Sequence, residues 1–250
     1  MAFSSPPANS RYTRWLVFTL AVMVTAALAG LGMWQLDRAE QKKALVKRME
    51  QRTEAPARPV ARLAQMDDPA HYPVEDRGHF DETRSVLIDN RMRDGRAGYY
   101  LLTLFHTRSG DNVLVNRGWI PRGPDRQTLP AIPEVQGEVR IRGHAHVHED
   151  KTLVLREARL EEKSWPLRVQ RVDRAALERH LDVELAPFIV RLAPNTGPER
   201  GAQLPREWPQ RQMGPQRHYA YAVQWFAMAV VAPVLFWFAG RRRPDQQEEP

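Results

Sequence analysis

From Tyr219 to Ala239 the chain runs 21 residues without a formal charge, and Arg241, Arg242 and Arg243 follow. As a helix, such a run is long enough to cross a hydrocarbon core of about 30 Å. A second run, Trp15 to Leu36, has 22 residues without a formal charge. Arg11 and Arg14 precede it, and no acidic residue occurs before Asp37. Basic residues flank the terminal side of each run, Arg11 and Arg14 before the first and Arg241 to Arg243 after the second, which places both termini on the cytoplasmic side. The segment between the runs then lies on the far side. A rival reading makes the first run a cleaved signal peptide, because Ala27-Leu28-Ala29 is an A-x-A site after a basic flank and an apolar stretch. The run continues through Leu31, Met33 and Trp34 to Leu36. A spanning helix needs that continuation and a signal peptide does not.

The expected organisation is a tail over 1–14, a transmembrane helix over 15–36, an outer domain over 37–217, a second transmembrane helix over 218–239 and a tail over 240–250. The chain has no cysteine. The outer domain therefore has no disulfide framework or thiolate metal site, and must rest on an ordinary apolar core. A net charge of +7 would suggest nucleic acid in a soluble protein. Between the two runs, however, 32 Lys and Arg face 27 Asp and Glu, a small excess spread over a long segment, and the remaining basic clusters flank the two runs as topology signals. Anionic headgroups of a lipid bilayer are its simpler partner, and no nucleic acid is expected.

The first helix is predicted to continue past Leu36 through good helix formers to Met49, with Pro56 and Pro59 beyond. In its outer half Ala26 and Gly30, four apart, suit close approach to the second span. Alternatively they are only common residues of spans. Val86-Leu87-Ile88, Tyr99 to Phe105, Val113 to Trp119 and Val139 to Val147 read as strands, separated by Asp94-Gly95, Ser109 to Asn112, Arg122-Gly123-Pro124 and Gln136-Gly137. Asp173 to Leu181 reads as a short helix with an aspartate N-cap, and Phe188 to Leu192 as a last strand. The fold class is therefore a membrane protein of α+β type: two transmembrane helices bracketing a mainly antiparallel β outer domain with one or two short helices.

Four constellations stand out. Trp34, Gln35, Arg38 and Lys42 leave the first span; an aromatic belt and basic collar explain all but Gln35. His218, Tyr221, Ala222 and Trp225 follow at i, i+3, i+4 and i+7 and share one face at the mouth of the second. If the spans pair, an imidazole, aromatic walls and a guanidinium meet. That set suits a haem, since neutral imidazole binds iron and Arg pairs with propionates; interfacial capping and packing is the alternative. His144, His146 and His148 alternate on a strand, either as a metal-binding face or as a polar outer face with Ala145 and Val147 inward. Asn116-Arg117-Gly118-Trp119-Ile120-Pro121 reads as a strand end with a tight turn at Gly118. Gly-x-Ser-x-Gly, phosphate-binding glycine loops and His-Glu-x-x-His do not occur, so the residues nominate no catalytic set.

Gly32-x-Trp34-Gln35-Leu36-x-Arg38, Asn116 to Pro121, and His218-x-x-Tyr221-Ala222-x-x-Trp225-Phe226 together resemble the surfeit-locus protein 1 family of cytochrome c oxidase assembly factors. The likeness covers nearly the whole chain in the same order. Gly98 to Phe105 resembles a further family segment, although the family more often has proline near Leu104. Pro215-Gln216-Arg217 stands where the family often carries asparagine before the histidine. The resemblance implies a non-enzymatic protein of the bacterial inner membrane, with a periplasmic domain, or of its mitochondrial equivalent, which assists maturation of cytochrome c oxidase subunit I. It implies haem a as a transient cofactor, His218 as the axial ligand of its iron and Trp34 nearby. Gln35, Arg38, Tyr221 and Trp225 would complete the site, with haem a synthase a further docking partner. The rival is a cofactor-free assembly factor that holds early subunit I.

Overall fold

The computed structural model describes residues 10–123, 128–147, 165–196, 204–208 and 214–241. The chain forms two compact units. One comprises residues 1–48 and 211–250, the other 49–210.

The first unit is a pair of helices, most of α1 (Ser10–Thr53) and all of α4 (Gln216–Arg241). Both are long and apolar enough to cross a membrane, over Trp15–Thr53 and Gln216–Phe238. Their contacts run in opposite senses: Tyr219 reaches Glu40, His218 reaches Gln35, and Phe226 lies against Gly32. The pair is therefore antiparallel. The buried stripe consists of small residues, Ala21, Gly32 and Ala39 on α1 and Ala222 and Ala229 on α4. Gly32 and Ala39 are seven apart, as are Ala222 and Ala229, the repeat of a helix pair that stays in contact over several turns. Small side chains let the backbones approach. Ala26 and Gly30 are not the ones used: both are exposed, and a Cβ at Gly30 would meet nothing within 4 Å. The apolar remainder, including Trp15, Phe18, Leu235 and Trp237, faces outward.

The second unit is built on six strands: β1 (Pro73–Arg93), β2 (Arg96–Thr107), β3 (Asn112–Pro121), β4 (Val139–His146), β5 (Leu167–Val169) and β6 (Ile189–Leu192). Asp94 and Gly95 take the positive φ angles, 48° and 74°, that a two-residue hairpin between β1 and β2 demands. Pairing runs β1–β2–β3–β6–β4 and returns to β1, which closes the sheet on itself. Closure is possible because β1 has 21 residues: Pro73 to Gly78 pair with β4, and Gly78 to Arg93 with β2. A closed sheet leaves no open edge in the circuit for unwanted pairing. The sheet is mainly antiparallel, as expected. It also contains two parallel pairings, β3 with β6 and β1 with β5.

Two helices complete this unit. Short α2 (Val60–Ala64) buries Val60 and Leu63 with Phe80, Phe105, Val115, Ile141 and Val190 in one apolar cluster. Asp76 on β1 accepts from the Val60 N–H at 2.9 Å. Helix α3 (Arg174–Leu181) starts as its sequence predicts, with Asp173 accepting from the Ala176 N–H. It covers a different cluster with Val86, Ile88, Leu102, Leu104 and Ile189. Successive residues Ile189 and Val190 therefore serve opposite faces of the closed sheet.

Candidate functional site

The polar groups of the helix pair gather where α4 begins. His218 Nδ1 lies 2.9 Å from Gln35 Oε1. A carbonyl oxygen only accepts, so Nδ1 carries the proton, and a neutral ring then holds its lone pair on Nε2. Such a contact selects the tautomer and fixes the ring plane, as partners of metal-bound histidines do. One residue along, the Tyr219 hydroxyl donates to Glu40 Oε1 at 2.6 Å. One turn deeper, a Cβ on Gly32 would come within 2.7 Å of the Phe226 ring. The glycine of the Gly32-x-Trp34 motif is thus the floor on which that ring rests.

The structure places the remaining candidates around this contact, and not all together. Arg38 is exposed, with its guanidinium carbon 5.7 Å from the Trp34 ring centroid, and it donates to Gln41 Oε1. Trp34 is 49% exposed. Trp225 is half-buried. Tyr221 is 52% exposed, whereas its neighbour Ala222 is buried. The i, i+3, i+4, i+7 face therefore narrows to His218, Ala222 and Trp225, with Tyr221 on its rim. Glu40 and Tyr219 carry no sequence signal of their role. Their bond joins two helices 179 positions apart in the chain, and no local pattern marks it.

Asn116 to Pro121 is the last part of β3, and at Gly118 the chain bulges and stays in the strand. Strand β3 runs through to Pro121, and Arg117 is an extra residue in it: Leu101 pairs with Gly118 while Leu102 pairs with Asn116. Such a bulge turns a side chain to the other face of its strand. Here it sends Arg117 inside, fully buried, over the Phe80 ring and donating to the Pro133 carbonyl at 2.6 Å. Gly118 takes a φ of 141°, and a Cβ there would sit 2.5 Å from Leu204. The segment 204–208 is strapped onto the bulge: the Trp119 N–H donates to the Pro205 carbonyl at 2.8 Å, and Arg206 Nε to the Arg117 carbonyl at 2.7 Å. The motif is an internal clasp of the second unit.

Of the histidine row, Ala145 is buried and His144 and His146 are half-buried on alternate positions of β4; His148 lies outside the described residues. Among the described residues no three His, Asp or Glu side chains gather as a metal site would require. Burial pushes the pKa of His144 down, helped by His71 and Arg142. Burial likewise lowers His71, with Arg52 adding to the effect.

The profile of the SURF1 family matches residues 22–230. That stretch takes in all of the sheet unit and the greater part of both long helices. The chain is similar to Surfeit locus protein 1 of Rattus norvegicus, 28% identical over 173 residues, 63% of this chain and 55% of the rat protein. Against Surfeit locus protein 1 of Homo sapiens it is 28% identical over 184 residues, 67% of this chain and 60% of the human one. The SURF1-like protein of Rickettsia felis is 25% identical over 228 residues, 87% of this chain and 94% of the rickettsial one. The chain thus spans little more than half the length of the mammalian relatives and nearly all of the bacterial one.

Proposed function

Because this chain belongs to the SURF1 family, we propose that it is a non-enzymatic assembly factor for a haem-copper (cytochrome c) oxidase, which holds haem a at the outer ends of its two spans and passes it to subunit I. The observation that carries this reading is the His218–Gln35 contact of 2.9 Å. It prepares an imidazole with Nε2 free to ligate, at the end of an apolar helix pair. The donor set fits a haem. His218 would take the iron, Gln35 would hold the ring, Arg38 would pair with a propionate and Trp34 would lie against the macrocycle. Trp225 would support the ring of His218, and Tyr221, on the rim, would anchor the helix at the headgroup level. When bound, haem supplies an iron that accepts nitrogen and two carboxylates that accept guanidinium.

The two apolar helices, with Arg11 and Arg14 before the first and Arg241 to Arg243 at the end of the second, support an inner-membrane protein with both termini cytoplasmic and a periplasmic domain over 37–217. Haem a synthase and subunit I are the partners of this reading.

The same contact favours a second reading. His218–Gln35 and Tyr219–Glu40 would also set the register of two helices with no cofactor present, leaving a purely structural factor. An optical spectrum separates the two. Full-length protein is purified in detergent from cells that make haem a, beside His218→Ala and Gln35→Leu. The carrier reading expects a Soret band that is lost in His218→Ala and reduced 10- to 100-fold in apparent affinity in Gln35→Leu, the usual cost of removing a residue that orients a ligand. Absence of haem in all three favours the structural factor. Equal haem in all three sinks His218 as the ligand.

A further inference from the structure

The outer face of the closed sheet carries a row of alternating cations and rings beside the apolar cluster that α3 joins. Arg191 on β6 lies 5.5 Å over the Trp208 ring. Trp208 packs edge-on against Tyr100 of β2, ring centroids 5.5 Å apart. Arg91 of β1 lies 5.6 Å over Tyr100, and Arg93 lies 5.9 Å over Trp119. Tyr100, Trp119 and Trp208 also line a groove of about 290 Å³, with the exposed side chain of Met92 at its edge.

The charges along this row are unevenly matched. Arg93 has anions in reach, Glu207 at 2.9 Å and Asp94 at 3.5 Å. Arg191 has none among the described residues. Its one hydrogen bond goes to His146 Nε2 at 2.9 Å, a neutral acceptor, and its Nε is buried without a partner. Burial pulls its pKa down to about 10, and Arg91 adds to the effect. A guanidinium removed from water without an anion is costly, and Arg is the side chain best shaped to take a carboxylate in two parallel hydrogen bonds. Flat rings with a cation behind them also favour a chain that lays an apolar side chain along the groove.

We propose that this face binds an extended polypeptide segment in which an acidic residue stands beside an apolar one: the carboxylate on Arg191 and Arg91, the apolar side chain against Trp208, Trp119 and Met92. A concave groove with rings set into it suits a polypeptide better than a bilayer surface, which favours protruding side chains. This site is separate from His218 and does not depend on the haem reading.

The test uses the full-length protein in detergent and calorimetric titration with two blocked hexapeptide libraries. One has Glu fixed at its third position, the other has Gln there, and apolar residues follow in both. Binding of the Glu library with at least tenfold preference over Gln is expected. Arg191→Gln should lose that preference, as should Trp208→Leu, while Arg140→Gln, whose partner is Glu75 on another part of the sheet, should keep it. If Arg191→Gln no longer unfolds cooperatively, Arg91→Gln is read in its place. Equal binding of both libraries, binding of neither, or an unchanged preference in Arg191→Gln and Trp208→Leu overturns the proposal. So does binding only to vesicles containing anionic phospholipid, which would make this face a membrane-surface contact.

Discussion

His71 and His144 show how burial of single residues shapes the response of the sheet unit to acid. Both sit below the ordinary histidine value, first because they are buried, then because of cationic or histidine neighbours, Arg52 and Arg191 for His71 and His71 and Arg142 for His144. Well above pH 6.5, the ordinary value, both are neutral folded and unfolded, and stability does not change with pH through them. As pH falls through that value the unfolded chain takes up protons first, so stability declines towards the depressed folded values. A thermal melt of the full-length protein should therefore hold its midpoint above about pH 7.5 and lose it from about pH 6.5 downward. His71→Gln with His144→Gln should flatten that decline. A midpoint that rises on acidification would contradict the assignment. Sequence alone gave their type, not their burial. Arg117 makes the same point more strongly: its place in Asn116-Arg117-Gly118 is plain to read, but a bulge measured against β2 turns it inward.

At the scale of elements, the two glycines of α1 separate what composition cannot. Gly30 looks outward into open space, and Gly32 bears on the Phe226 ring. Replacing Gly32 by Val must turn that ring or part the helices, at a cost of about 1–3 kcal/mol as for other overpacked contacts. Gly30→Val should be close to neutral. Thermal midpoints of the two variants in the same detergent check this, and equal losses would refute the packing described for the pair. The helix with Asp173 as cap, the hairpin at Asp94-Gly95 and the principal strands were all legible, since capping and turn chemistry are local. Helix α2 and strand β5 were not. Five and three residues long, they carry too little periodicity to register; α2 forms on the apolar cluster it joins and β5 on its pairing with β1.

The whole molecule divides into a helix pair and a closed sheet with its own apolar clusters. Residues 49–210 should therefore fold alone, and their isolated fragment should show cooperative thermal unfolding and a β-rich circular dichroism spectrum. An aggregated or unstructured fragment would show that the sheet unit requires the helices. The sequence by itself determined the two apolar runs, their basic flanks and the β character of the segment between them. Each of these is set by neighbouring residues, through hydropathy, charge and turn preference. Only the tertiary structure decided that β1 would be shared by two neighbours to close the sheet, that Arg117 would be buried, and that His218 would meet Gln35 from 183 positions away. The physical reason is that closure, burial and cross-helix hydrogen bonds depend on which distant surfaces pack together, and a local pattern is compatible with many such packings.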